Sequence, residues 1–112
     1  MSDEDIDPDR EPPTQARVAT FVDRHDLAAP PAYRLLDLVA EVGELAADAV
    51  ESTEYGAAPG DIAVSEDELG DALFALLALA EATDHDATAA LDAALDKYEE
   101  RLTSQDTPRN RD

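Results

Sequence analysis

The sequence has 112 residues, with 28 Asp or Glu against 8 Lys or Arg, for a formal net charge of −20. That length suits one small domain, and the charge excludes a direct grip on nucleic acid or on an anionic membrane, each of which needs a basic patch. With no Cys and only His25 and His85, disulfides, a Cys nucleophile and a thiolate or multi-His metal centre are excluded as well. Lys97 is the only Lys, yet 44 % of the residues are hydrophobic. Such an acidic, Lys-poor composition points to a halophilic protein, because molar salt shortens the Debye length to about 3 Å and screens self-repulsion. The longest apolar run, Ala72 to Ala80, is too short to cross a bilayer. The acidic start lacks the basic and apolar regions of a signal peptide, so a cytoplasmic protein is expected.

In chain order, residues 1–12 read as a disordered acidic tail, 13–103 as a helical domain and 104–112 as a second disordered tail. The first predicted helix runs from Thr14 to His25, with Val18, Phe21 and Val22 on one side, and Ala29-Pro30-Pro31 ends it. The second runs from about Tyr33 to Val50. A connection from Ser52 to Val64 follows, carrying Tyr55-Gly56; loops of this length in small domains are often functional. The third helix opens at the capping signature Ser65-x-x-Glu68 and ends near Ala82. The fourth follows Asp86 as N-cap and repeats Leu91, Leu95, Tyr98 and Leu102. No window alternates with period two. The expected fold is all-α, of four-helix-bundle type.

Acids dominate one stripe of the second helix. At about 100° per residue, Glu41, Glu44, Asp48 and Glu51 fall within about 40° of Asp37, while Leu35, Leu38, Val39, Val42, Leu45, Ala46 and Ala49 lie opposite. In an acidic chain such a stripe usually marks the solvated face. The third helix argues otherwise. From Ala72 to Ala80 it is apolar on every side, so burial all round is expected and Glu68 and Asp71 should border a packed interior. Unpaired carboxylates there are costly. With so few cations available, a divalent metal is the economical partner. Glu68 also fits the capping box, but Asp71 lies beyond the first turn. Gly43 sits within the first acidic pair and Gly70 within the second. Each costs about 1 kcal/mol relative to Ala, which suggests close backbone approach.

The combined pattern is Glu41-x-x-Glu44, a 23-residue gap, then Glu68-x-x-Asp71. Together with Leu38-Val-Ala-Glu-Val-Gly-Glu-Leu45 and Glu68-Leu-Gly-Asp-Ala-Leu-Phe74, it resembles the MazG-like branch of the all-α nucleoside triphosphate pyrophosphohydrolases, over roughly residues 14 to 102. The resemblance implies Mg²⁺-dependent hydrolysis of a nucleoside triphosphate to the monophosphate and pyrophosphate, with Mn²⁺ as an alternative metal. It implies Glu41, Glu44, Glu68 and Asp71 as metal ligands and Glu41 and Glu44 as the catalytic pair. Hard carboxylate oxygens suit Mg²⁺, which bridges phosphate oxygens and neutralises the leaving pyrophosphate.

By the same resemblance, Lys97 and Arg101 on the fourth helix would contact substrate phosphates, with Tyr98 beside them; a solvated helix end explains the cations equally well. Leu95 stands where many relatives have Asn. Arg34 could contact substrate or pair with Asp37. His25 and His85 read as ordinary loop or helix-end residues. The resemblance also implies dimers or tetramers, and the small protomer core points the same way. Two other readings remain: a phosphoribosyl-ATP pyrophosphohydrolase, and a non-catalytic acidic helical dimer that binds a protein partner.

Overall fold

The computed structural model describes residues 13–104. The tails expected over 1–12 and 104–112 lie outside the described residues, except Ser104, the last residue of α4. The described chain folds into α1 (Thr14–Arg24), α2 (Pro31–Ser52), α3 (Glu66–Ala82) and α4 (Ala87–Ser104), with a short 3-10 turn at Pro59–Asp61 before α3. No strand occurs among the described residues.

Local chemistry sets the helix limits. Pro30 and Pro31 open α2, where a missing N–H costs nothing because the first-turn amides have no helical partner. Ser65 Oγ accepts the Glu68 N–H at 3.0 Å and starts α3. Asp86 Oδ1 accepts the N–H groups of Thr88 and Ala89 at 2.9 and 3.2 Å and starts α4. Replacing Ser65 by Ala should cost about 1 kcal/mol, the usual value of such a cap. Denaturant melts of the two proteins check this, and an unchanged midpoint would show that the bond contributes nothing.

Helix α3 is the centre of the protomer. It packs along α2 and, over a shorter length, against α1. Its buried residues are Ala72, Ala75, Leu77 and Ala78. Val18 of α1 joins Leu77 and Ala78 in the core, with Val22, Phe74 and Ala87 at its edge. Phe21 meets Phe74 edge-on at 5.9 Å between centroids.

Two expectations fail within one chain. The Ala72–Ala80 segment is not buried all round: Leu73 and Leu76 are exposed. These residues share one flank, and α2 and α1 cover the other two. The glycines are not points of close approach either. A Cβ added at Gly43 or Gly70 would meet nothing within 4 Å. Two residues along a helix is about 200° of rotation, so Gly43 faces away from Glu41, and Gly70 away from Glu68.

The fourth helix also departs from a closed bundle. None of its residues is buried, and it shares no packing comparable to that of α3 with α2 or α1. Leu91, Leu95, Tyr98 and Leu102 form an exposed stripe.

Candidate metal centre

The second helix presents an unusual face to its neighbour. The residues of α2 that are buried or half-buried are Arg34, Leu38, Glu41, Leu45, Asp48, Ala49 and Ser52. They recur every three to four positions and form the stripe packed on α3. Two of them are acids. The aliphatic stripe of Leu35, Val39 and Val42 is exposed, with Val39 61 % accessible. The packed stripe is therefore mixed: Glu41 and Asp48 lie on it with Leu38, Leu45 and Ala49, while Asp37, Glu44 and Glu51 stay exposed.

This orientation of α2 brings Glu41, Glu68 and Asp71 together. One carboxylate oxygen from each lies within 4.8 Å of the other two. Glu41 and Glu68 are half-buried, and Asp71 is exposed. Partial desolvation raises the Glu41 pKa above 4.5, and the charges of Asp71, Glu44, Asp37 and Asp67 add to it. Desolvation likewise raises Glu68, with Glu44, Asp48, Asp71 and Glu41 adding repulsion. Every charged group acting on the two is acidic. Glu44 is exposed and outside the three-residue cluster, but it heads the repulsions felt by Glu68.

Three convergent carboxylates with unneutralised charge are the donor set that a hard divalent cation requires. Mg²⁺ binds such oxygens and keeps several waters. The cluster therefore fits a divalent metal by its chemistry and by its electrostatic deficit.

A pH dependence follows. A carboxyl whose pKa is higher in the folded state binds its proton more tightly there, so protonation favours folding. For Glu41 and Glu68, the stability of the metal-free protein should rise as pH falls from neutral through their raised pKa values, and the gain should be complete below 4.5. With Mg²⁺ present the trend should weaken or reverse, because protons compete with metal. Melting temperatures between pH 8 and pH 5, with EDTA or with Mg²⁺, check this. Identical slopes in the two series would argue against metal binding here.

Side chains outside the cluster hold the site in place. Asp48 Oδ2 accepts the Ser65 N–H at 3.2 Å, tying the start of α3 to the acidic stripe of α2. Ser52 Oγ donates to the Ala63 carbonyl and accepts the Ala63 N–H at 2.9 Å. Thr53 is buried; its hydroxyl donates to the Ala49 carbonyl and accepts from Gly56 N–H. The connection between α2 and α3 is thus pinned at both ends. Glu54, Tyr55 and Gly56 all have positive φ, which turns the chain sharply there. A Ser-Thr pair at a helix end was the available sequence signal, since such hydroxyls bond nearby backbone.

The remaining predicted residues lie elsewhere. Arg34 is buried; it donates to the Leu27 carbonyl and stands 3.9 Å from Asp37, so it anchors the linker that precedes α2. Lys97 and Arg101 lie 5.5 and 6.0 Å from the Tyr98 ring centre and form no ion pair among the described residues. Neither contributes to the raised pKa values of Glu41 and Glu68.

The family model of the MazG nucleotide pyrophosphohydrolase domain matches residues 31–104, a span that contains α2, α3, α4 and all four predicted acids. No curated protein matches the chain, and no solved structure does.

Proposed function

The chain belongs to the MazG nucleotide pyrophosphohydrolase family and is a pyrophosphohydrolase, and from that premise we propose that it cleaves nucleoside triphosphates to the monophosphate and pyrophosphate with Mg²⁺, in a nucleotide-pool clearing role. The observation that carries this reading is the convergent cluster of Glu41, Glu68 and Asp71. In it, Glu41, Glu68 and Asp71 hold the metal, and Glu44 completes the set from beside them. Bound Mg²⁺ supplies charge neutralisation at the triphosphate and at the departing pyrophosphate, and Mn²⁺ has the same preference for oxygen donors.

The carboxylates also handle the proton. A water oriented by Glu41 and Glu44 attacks the α-phosphorus. The bond from that phosphorus to the bridging oxygen of the β-phosphate breaks, and pyrophosphate leaves with the bond electrons. The water's proton passes to a carboxylate, for which Glu44 is the accessible candidate. No covalent intermediate on the protein is required.

Lys97 and Arg101, with Tyr98, are the proposed contacts to the anionic substrate. Neither cation acts on the charges of Glu41 or Glu68 within the protomer, and the reading includes self-association to a dimer or tetramer. The exposed apolar stripes on α2, α3 and α4 support that assembly. Arg34 is already committed to the linker, which favours an anchoring role for it over substrate contact.

The test is pyrophosphate release from a panel of canonical and modified nucleoside triphosphates, with phosphoribosyl-ATP included. It should be run with and without Mg²⁺, in molar and in low salt. Release that needs Mg²⁺ supports the reading, and the panel ranks the substrates. Preference for phosphoribosyl-ATP alone would move the protein to histidine synthesis. A folded protein that releases nothing and gains no heat stability from Mg²⁺ would overturn it in favour of a non-catalytic partner-binding role.

A further inference from the structure

The root of α4 is held from outside its own hairpin. Only residues 83–86 separate α3 from α4, and Asp84 has a φ of +58° there. Of the first three N–H groups of α4, which have no helical partner, Asp86 takes those of Thr88 and Ala89. The remaining one, Ala87 N–H, donates to Gln15 Oε1 of α1 at 2.6 Å. The same amide uses its nitrogen twice: Gln15 Nε2 donates to the His85 carbonyl at 2.8 Å and to Glu81 Oε1 at 2.9 Å. One half-buried side chain therefore joins α1, the end of α3, the turn and the start of α4. Such a set needs donors and an acceptor on one head group, which an amide provides and a carboxylate or an ammonium does not.

This junction matters because little else in the protomer restrains α4. Beyond the small contact of Ala87 with the core and the half-buried Ala94, its residues are exposed and its packing is slight. At about 1.5 Å rise per residue, Lys97 lies about 15 Å and Arg101 about 21 Å from Ala87. A tilt of about 15° at the root displaces Arg101 by about 5 Å on that lever, enough to lose a phosphate contact.

We propose that Gln15 is a positioning residue: from α1, outside the span matched to the family, it completes the cap of α4 and so fixes where Lys97, Tyr98 and Arg101 stand. The functional half of this inference rests on the proposed role of those cations in binding triphosphate. The geometric half does not.

The experiment uses the full chain, and the lack of Cys allows clean labelling. Spin labels at Ala47→Cys on α2 and Glu99→Cys on α4, diluted with unlabelled protein, report the angle of α4 by electron–electron distance measurement. In Gln15→Leu the distance distribution should shift or broaden by several ångströms. KM for the best triphosphate should rise about five- to tenfold, while kcat and the Mg²⁺ concentration for half-maximal heat stabilisation stay the same. Glu81→Leu, which removes only the bond to α3, should leave distance and KM near those of the parent. If Gln15→Leu does not fold, Gln15→Glu keeps the acceptor for Ala87, loses both donors and serves the same comparison.

An unchanged distance overturns the proposal. A changed distance with unchanged KM overturns its functional half and leaves Gln15 as a structural clamp. If the parent itself turns over no triphosphate, the proposed function fails, and the distance measurement still decides whether α1 sets α4.

Discussion

Glu41→Gln is expected to remove pyrophosphohydrolase activity and, at the same time, to make the metal-free protein more heat-stable. The two effects share one cause. Glu41 is partly desolvated and faces Asp71, Glu44, Asp37 and Asp67, so its charge is unfavourable unless a cation is present. Gln keeps the shape and discards the charge. In EDTA near neutral pH, the variant should therefore melt above the parent. With Mg²⁺ the order should invert, because a ligand stabilises only the form that binds it. Loss of even an outer-shell partner of a metal costs about 10–100-fold in affinity or activity, so loss of a direct ligand should cost about 100-fold or more. Glu51→Gln is the control, since Glu51 lies on the same stripe but outside the cluster. It should change neither activity nor the response to Mg²⁺. A Glu41→Gln protein that still hydrolyses triphosphate, or that Mg²⁺ stabilises as it does the parent, would remove Glu41 from the site.

Leu95→Asp should dissociate the assembly. Leu95 is exposed within the stripe of Leu91, Leu95, Tyr98 and Leu102. On α2, Leu36 and Val39 are uncovered too. No large side chain among the described residues is fully buried, so a single protomer leaves much of its apolar surface in water. Burial of one Leu contributes about 1.5–3 kcal/mol, and a two-fold interface counts each substitution twice. A buried Asp adds a desolvation cost. Light scattering in high salt should read a dimer or tetramer for the parent and a monomer for the variant. The melting temperature of the parent should rise with protein concentration, and that of the variant should not. A parent that is monomeric at all concentrations would remove self-association from the proposed function.

The helices themselves were legible because their signals are local. Ser65 with Glu68, Asp86, and the Pro30-Pro31 pair each act within one turn of chain. Ser65 and Asp86 mark the starts of α3 and α4, the prolines mark the end of α1, and the expected start of α2 at Tyr33 falls two residues inside the observed Pro31, the ordinary uncertainty of a helix end. The acidic pairs were legible for a similar reason. Helical spacing puts Glu41 with Glu44 and Glu68 with Asp71 on common faces before any tertiary contact is known. The family match over 31–104 spans all four of them.

Burial was less legible, because periodicity gives the faces of a helix without saying which of them meets a neighbour. On α2 an acidic stripe opposite an aliphatic one would ordinarily put the acids in water. In the fold, Glu41 and Asp48 face α3 while Val39 and Val42 face out. On α3 an all-round apolar segment suggested complete burial, but α2 and α1 are too few to cover it. The bridge through Gln15 had no sequence signal, since its partners lie 66 to 72 positions away.

The sequence by itself determined four helices, the starts of α3 and α4, the spacing of the four acids and a chain without thiols. Each of these depends on residues within a turn or two of one another, or on composition. Only the tertiary structure decided that Glu41, Glu68 and Asp71 converge while Glu44 stays outside the cluster, that Arg34 is bound to the linker, and that α4 is bonded at its root by Gln15 and otherwise little packed. Those outcomes depend on how helices turn about their axes and on which faces they share, and a free energy summed over contacts distant in sequence sets that rotation.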